Sequence, residues 1–99
     1  MKKGVRIAFE DNVATVLDDV AAGETVEILE RDGSRFALEV TESIPFGHKV
    51  AVEPIDARQE VTKYGASIGI ATKPAARGQY VHTHNLVSKR GKAKGASHG

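Results

Sequence analysis

No stretch of this chain holds a helical apolar period for ten residues. Apolar residues alternate instead in short runs, repeatedly cut by glycine, proline, asparagine and aspartate, which commits the chain to short strands joined by tight turns. Residues 5–9 (VRIAF) alternate until Glu10-Asp11-Asn12 closes them as a turn, and residues 12–17 form a second strand candidate. Residues 18–24 turn the chain, with Gly23 free to take a positive φ. Residues 25–30 and 35–40 flank Arg31-Asp32-Gly33-Ser34, and Asp-Gly between two alternating runs is a strong hairpin signal. Val26 and Ile28 share one strand face, as do Phe36, Leu38 and Val40 on the next strand. Ile44-Pro45-Phe46-Gly47 interrupts the pattern, because Pro45 cannot donate to a ladder, and delivers His48 to a strand over 48–52. Strands over 60–64, 67–72 and 79–86 complete the set; residues 55–59 and 72–77 have room for a turn of helix at most. The expected class is all-β, built of short, strongly bent strands.

A short pattern recurs within this frame. Residues 20–26 (VAAGETV), 55–61 (IDARQEV) and 75–81 (AARGQYV) each place a small or apolar residue, a four-position tight turn and a valine entering a strand. The three copies agree with the strand boundaries, which gives a degenerate match its weight.

At 99 residues and 40% apolar content the chain is one small domain with a modest Val, Ile, Leu and Ala core. It has no cysteine, so disulfides and thiolate metal ligands are excluded, and no apolar run approaches the ~20 residues that span a bilayer. The N-terminus carries two lysines with no apolar segment behind them, so the expected location is cytoplasmic, without membrane attachment. Lys89, Arg90, Lys92 and Lys94 make residues 89–99 basic with no acid, leaving ten basic against thirteen acidic residues in the rest. A nucleic-acid module would carry its positive charge on the folded body, and this body is slightly acidic. The expected organisation is a domain over 1–87 and a flexible basic tail over 88–99.

The phrases DVAAGETV, IPFGHKVAV, EVTKYGASIGIAT and GQYVHTHNL, in this order, resemble the SAF-type domain of the altronate and galactarate dehydratase family, of which the sulfolactate sulfo-lyase small subunit is a close relative. The likeness covers residues 5–87. Arg58-Gln59 stands where the family often has Gly-Glu, and Gln79-Tyr80 where Glu-Trp is common. The resemblance implies a β-clip fold and a small subunit that completes the active site of a large subunit. It also implies β-elimination of water, or of sulfite in the sulfonated relative, from an acidic sugar or hydroxy acid. A divalent metal, Fe2+, would be shared with the large subunit. A non-catalytic acid- or carbohydrate-binding module, or a docking or dimerisation domain, is the alternative that SAF-type domains offer.

The candidate site residues follow. His82 and His84, two apart on the expected strand, would emerge on one face with Tyr80 and Leu86, while Thr83 and Asn85 point the other way. Such a pair can place two nitrogens around one metal, or serve as one ligand and one proton carrier; equally, it can be two surface or satisfied core groups. His48 follows Gly47 at a strand start, with Lys49 on the opposite face. Given the resemblance, His48 and His84 are the expected acid/base groups and His82 and His84 the expected metal ligands. Lys49, Lys63, Tyr64 and Asn85 are the expected substrate-binding groups.

Overall fold

One turn, used four times, shapes this chain. In the computed structural model, which describes residues 1–82 and 84–88, the turns run from Val20, Ile44, Ile55 and Ala75. In each, the fifth residue's N–H returns to the second residue's carbonyl: Glu24 to Ala21 (3.0 Å), His48 to Pro45 (3.1 Å), Gln59 to Asp56 (3.0 Å) and Gln79 to Ala76 (3.0 Å). The fourth residue is left-handed in all of them, at φ +88° for Gly23, +83° for Gly47, +74° for Arg58 and +90° for Gly78. That is the signature of a type II turn, which favours glycine at this place. The fourth residue's N–H then reaches across to Val40, Val16, Ala71 or Ala51 respectively. The expected pattern of three copies is therefore a pattern of four. The extra copy is the segment expected to be an interruption, since Pro45 occupies a position whose N–H joins no ladder.

The turns meet in pairs. Val20 and Ile44 exchange both backbone hydrogen bonds, at 2.9 and 2.8 Å, and Ile55 and Ala75 do the same at 2.8 Å each. Each pair lies over its own apolar cluster: Val20 and Ile44 pack with Val16, Val26, Ile28, Leu38, Val40 and Val50, and Ile55 and Ala75 with Val13, Ala51, Val61, Ala71 and Val81.

The strands are β1 (Lys2–Arg6), β2 (Val13–Val16), β3 (Thr25–Glu30), β4 (Arg35–Glu39), β5 (Lys49–Ala51), β6 (Glu60–Lys63), β7 (Ala66–Ala71), β8 (Tyr80–Val81) and β9 (Leu86–Ser88). Six form one sheet in the order β4-β3-β1-β2-β5-β8, and β6-β7-β9 form a second. All neighbouring pairs are antiparallel except β1 with β3. Strands β2 and β5 contribute to both clusters, Val16 and Val50 to one and Val13 and Ala51 to the other. They are covered on both faces, which is why they read as near-continuous apolar runs rather than alternating ones.

The architecture is all-β, as expected, and the described residues contain no helix, so 55–59 and 72–77 are turns. No helix of the described residues is long and apolar enough to cross a membrane. The first strand starts earlier than expected and excludes 7–9, because its partner is chosen by charge as well as by apolar period. In parallel register Lys3 lies opposite Glu27 and Arg6 opposite Glu30, and both pairs form salt bridges. The Arg6 guanidinium holds Glu30 through Nε at 3.0 Å and Nη2 at 2.6 Å, with its flat group near Phe36. The last expected strand, 79–86, is broken after Val81, as described below. Only Ser88 of the expected tail falls among the described residues, ending β9; residues 89–99 lie outside them.

Asp11 and Asn12, expected to be simple turn formers, tie the second sheet to the first. The buried Asp11 carboxylate accepts the N–H groups of Tyr64 and Gly65 at 2.8 Å each and of Ala8 at 3.2 Å. Asn12 donates to the Glu60 carbonyl at 2.9 Å and accepts from the Thr62 N–H at 2.8 Å, imitating a strand neighbour of β6.

The left-handed fourth position makes two substitutions opposite in sign. A Cβ on Gly78 would stand 2.3 Å from the Glu39 carbonyl oxygen, so Gly78→Ala lowers the unfolding free energy by at least about 2 kcal/mol. Arg58→Gly relieves a left-handed non-glycine residue and raises it by up to about 1 kcal/mol, after the greater chain entropy of glycine is subtracted. Urea unfolding of both variants checks the pair.

Candidate active site

The second turn departs from the other three at one hydrogen bond. In those three, the fifth residue's side chain accepts the N–H of the second residue: Glu24 from Ala21 at 2.7 Å, Gln59 from Asp56 at 2.9 Å and Gln79 from Ala76 at 2.9 Å. For Glu24 that bond, followed by the Lys2 ammonium, holds the carboxyl below its ordinary value. In the second turn the corresponding residue is Pro45, which has no N–H. The capping position is filled by His48, and its Nδ1 lies 2.6 Å from the Tyr80 hydroxyl.

Pairing of β5 with β8 sets up this contact. Val50 lies opposite Tyr80 and Lys49 opposite Val81, so the strand continues with His48 beside His82. The His48 and His82 rings are 4.8 Å apart, the Tyr80 ring stacks on His82 at 5.6 Å, and His84 lies 5.3 Å from Tyr80. Three imidazoles thus surround one phenol. At the edge of the sheet the N–H of Tyr80 donates to the Glu42 carboxylate at 3.1 Å.

His82 and His84 do not share a strand face as expected. The strand ends at Val81, and a tight turn follows in which Asn85 N–H donates to the His82 carbonyl at 3.0 Å. Asn85 causes the break: its buried amide oxygen accepts the His82 N–H at 2.9 Å and its amide nitrogen donates to the Tyr80 carbonyl at 2.8 Å. This side chain holds the turn, and its two polar atoms are engaged within the chain. Both histidines nonetheless lie beside Tyr80. Thr83 lies outside the described residues.

Lys49 and Lys63 lie near enough for their charges to interact. Burial pulls the Lys49 ammonium below the ordinary lysine value, and the Lys63 charge pulls it further. His82 is lowered likewise, first by burial and then by the charges of His48, Lys49 and His84. Among the described residues no salt bridge reaches these five groups. Lys49 thus sets a positive charge beside the imidazoles, with the Glu42 carboxylate at the edge of the cluster. Tyr64 stands apart: it is exposed at φ +57° in the tight β6–β7 hairpin, with the Lys63 ammonium 4.9 Å from its ring, and it lines a different hollow with Ile7, Phe9 and Glu10.

No group of three His, Cys, Asp or Glu side chains among the described residues could hold a metal ion. His48, His82 and His84 all lie around Tyr80 without forming such a group, so the described residues do not by themselves fit a divalent cation. Tyr80 and Pro45 are the site residues that sequence reasoning passed over. Their signal is a difference between turn copies, once the copy at Ile44 is aligned with the other three: it alone has proline at its second position and histidine at its fifth. A hollow of about 430 Å³ beside Tyr80, lined also by Lys2, Asp19, Ile44 and Pro45, opens next to the cluster.

Comparison with known proteins shows what the chain is similar to. Residues 2–89 match the family model described as the altronate/galactarate dehydratase SAF domain. The chain is 41% identical over 63 residues to the (2R)-sulfolactate sulfo-lyase subunit alpha of Paracoccus pantotrophus, covering 64% of this chain and 94% of that one. It is 32% identical over 77 residues to the same subunit of Chromohalobacter salexigens, covering 76% and 81%. Against the altronate dehydratase of Bacillus subtilis it is 33% identical over 85 residues, which is 86% of this chain and 16% of that enzyme. The chain thus spans about a sixth of the dehydratase it matches and most of each sulfo-lyase subunit. The chain belongs to the family of altronate/galactarate dehydratase SAF domains.

Proposed function

We propose that this chain is the small subunit of a hydroxy-acid or sugar-acid lyase and completes the active site of a large subunit. The observation that supports this most directly is the His48–Tyr80–His82–His84 cluster beside Lys49, which is basic, half-buried and open on one side. Relatives whose names describe a subunit alpha of a sulfo-lyase, and others named dehydratases, supply the reaction class.

The chemistry that suits these groups is β-elimination from an α-hydrogen-bearing carboxylate. The substrate carboxylate faces the cations, led by Lys49, which also stabilise the negative charge that develops when the α-proton leaves. His48 carries the proton at Nε2, while Tyr80 fixes the ring through Nδ1. The electron pair of the broken C–H bond becomes the new C=C bond as the bond to the leaving group breaks. Hydroxide departs and is protonated to water, or sulfite departs in the sulfonated case. His84, the second imidazole of the expected acid/base pair, delivers that proton. The divalent ion implied by the resemblance, Fe2+, would draw its ligands mainly from the large subunit, and no step here depends on it.

In a complex purified anaerobically with its large subunit, His48→Ala lowers turnover of a sugar-acid or sulfolactate substrate by about 100-fold or more, and Tyr80→Phe by about tenfold. Full activity in His48→Ala, or loss of affinity alone, would move the protein to the binding-module class. Failure of the tagged chain to bring down a larger protein would remove the subunit reading.

His82 gives a pH dependence with a definite sign. Its folded pKa lies below the ordinary 6.5, so the unfolded chain takes up the proton first. The stability that neutral His82 contributes is fully present above about pH 6.5 and is lost as the pH falls through the folded value. NMR titration of the isolated chain shows a His82 midpoint below 6.5, and His82→Gln reduces the drop in unfolding temperature on acidification below that pH.

A further inference from the structure

We infer that Pro45 is a positioning residue: by removing the one N–H that the turn's fifth side chain would otherwise cap, it releases His48 to Tyr80. This rests on the proposed role of His48. Three observations carry it together. The four turns share one backbone hydrogen-bond pattern and one left-handed position, so their second and fifth residues are equivalent places. In three of them the fifth side chain is held by the second residue's N–H, at 2.7 to 2.9 Å. In the second turn that donor is absent and the fifth side chain instead meets the Tyr80 hydroxyl at 2.6 Å.

The physical argument concerns an obligatory donor. A backbone N–H seeks an acceptor, and a side chain that supplies one is fixed against the turn. An imidazole so fixed would have Nδ1 facing its own turn, and could aim that nitrogen at Tyr80 only by leaving the donor unpaired. Proline removes the conflict at its source, since no N–H remains to be satisfied and φ stays set for the turn. A capping position becomes a site for a proton-transfer group without any change in the backbone path.

Two variants of the full chain test this. In Pro45→Ala, the restored N–H competes for His48. The 15N resonance of His48 Nδ1 then moves toward its position in Tyr80→Phe, and turnover of the assembled complex falls about fivefold, the factor one hydrogen bond of ordinary net strength sets. Unchanged His48 resonances in a folded Pro45→Ala chain overturn the inference, whatever the turnover. The second test needs no enzyme. Pro45→Ala/His48→Gln rebuilds the cap seen at Gln59 and Gln79, so its urea midpoint lies above that of His48→Gln alone. If proline serves only to stiffen the turn, the double variant unfolds earlier than the single one, and the inference fails. Should His48→Ala retain full turnover, the proposed catalytic role fails while both measurements on the isolated chain still decide what Pro45 does.

Discussion

The left-handed fourth residue of the repeated turn is the constraint on which everything else rests. It lets the fifth residue's N–H fold back to the second residue's carbonyl, and it aims its own N–H at a neighbouring strand. Each turn therefore reverses the chain and stitches it to the sheet in one step. Because the first residue of each turn pairs with the first residue of another, two reversals lie over each apolar cluster. A chain with few aromatics and no disulfide thereby keeps two small cores closed. Glycine meets the constraint in three copies; Arg58 meets it against its own preference.

The site is a local variation on this scaffold. Its backbone is that of an ordinary turn followed by an ordinary strand, and the departure lies in two side chains, Pro45 and His48. Tyr80 enters from the fourth turn, so the two reversals that carry His48 and Tyr80 belong to different turn pairs. They meet only because β5 and β8 are neighbours at the end of the larger sheet. Pairing of the short strands β5 and β8 brings His48 to Tyr80, and β8 is the edge strand of its sheet.

Much of this was legible from residues alone. Asp32-Gly33 placed the β3–β4 hairpin, and Val26, Ile28, Leu38 and Val40 marked its buried face, all of them now in one cluster. His48 and the two histidines of VHTHN, singled out by the resemblance, lie together around Tyr80 in the structure. The strand after Gln79 was misjudged because Asn85 looks like any polar strand residue in a sequence. Its capacity to end a strand depends on reaching both the His82 N–H and the Tyr80 carbonyl. Asp11 and Asn12 were undervalued for a similar reason, since their partners are some fifty residues away.

The sequence by itself determined the class, the hairpin, the presence of a repeating turn and the family, because these depend on period, glycine placement and local chemistry. The tertiary structure alone decided which groups meet: Lys3 and Arg6 with their acids on β3, Asp11 with the β6–β7 turn, and His48 with Tyr80. Those contacts join residues far apart in the chain, and their geometry follows from strand register, a property of the whole sheet rather than of any local segment.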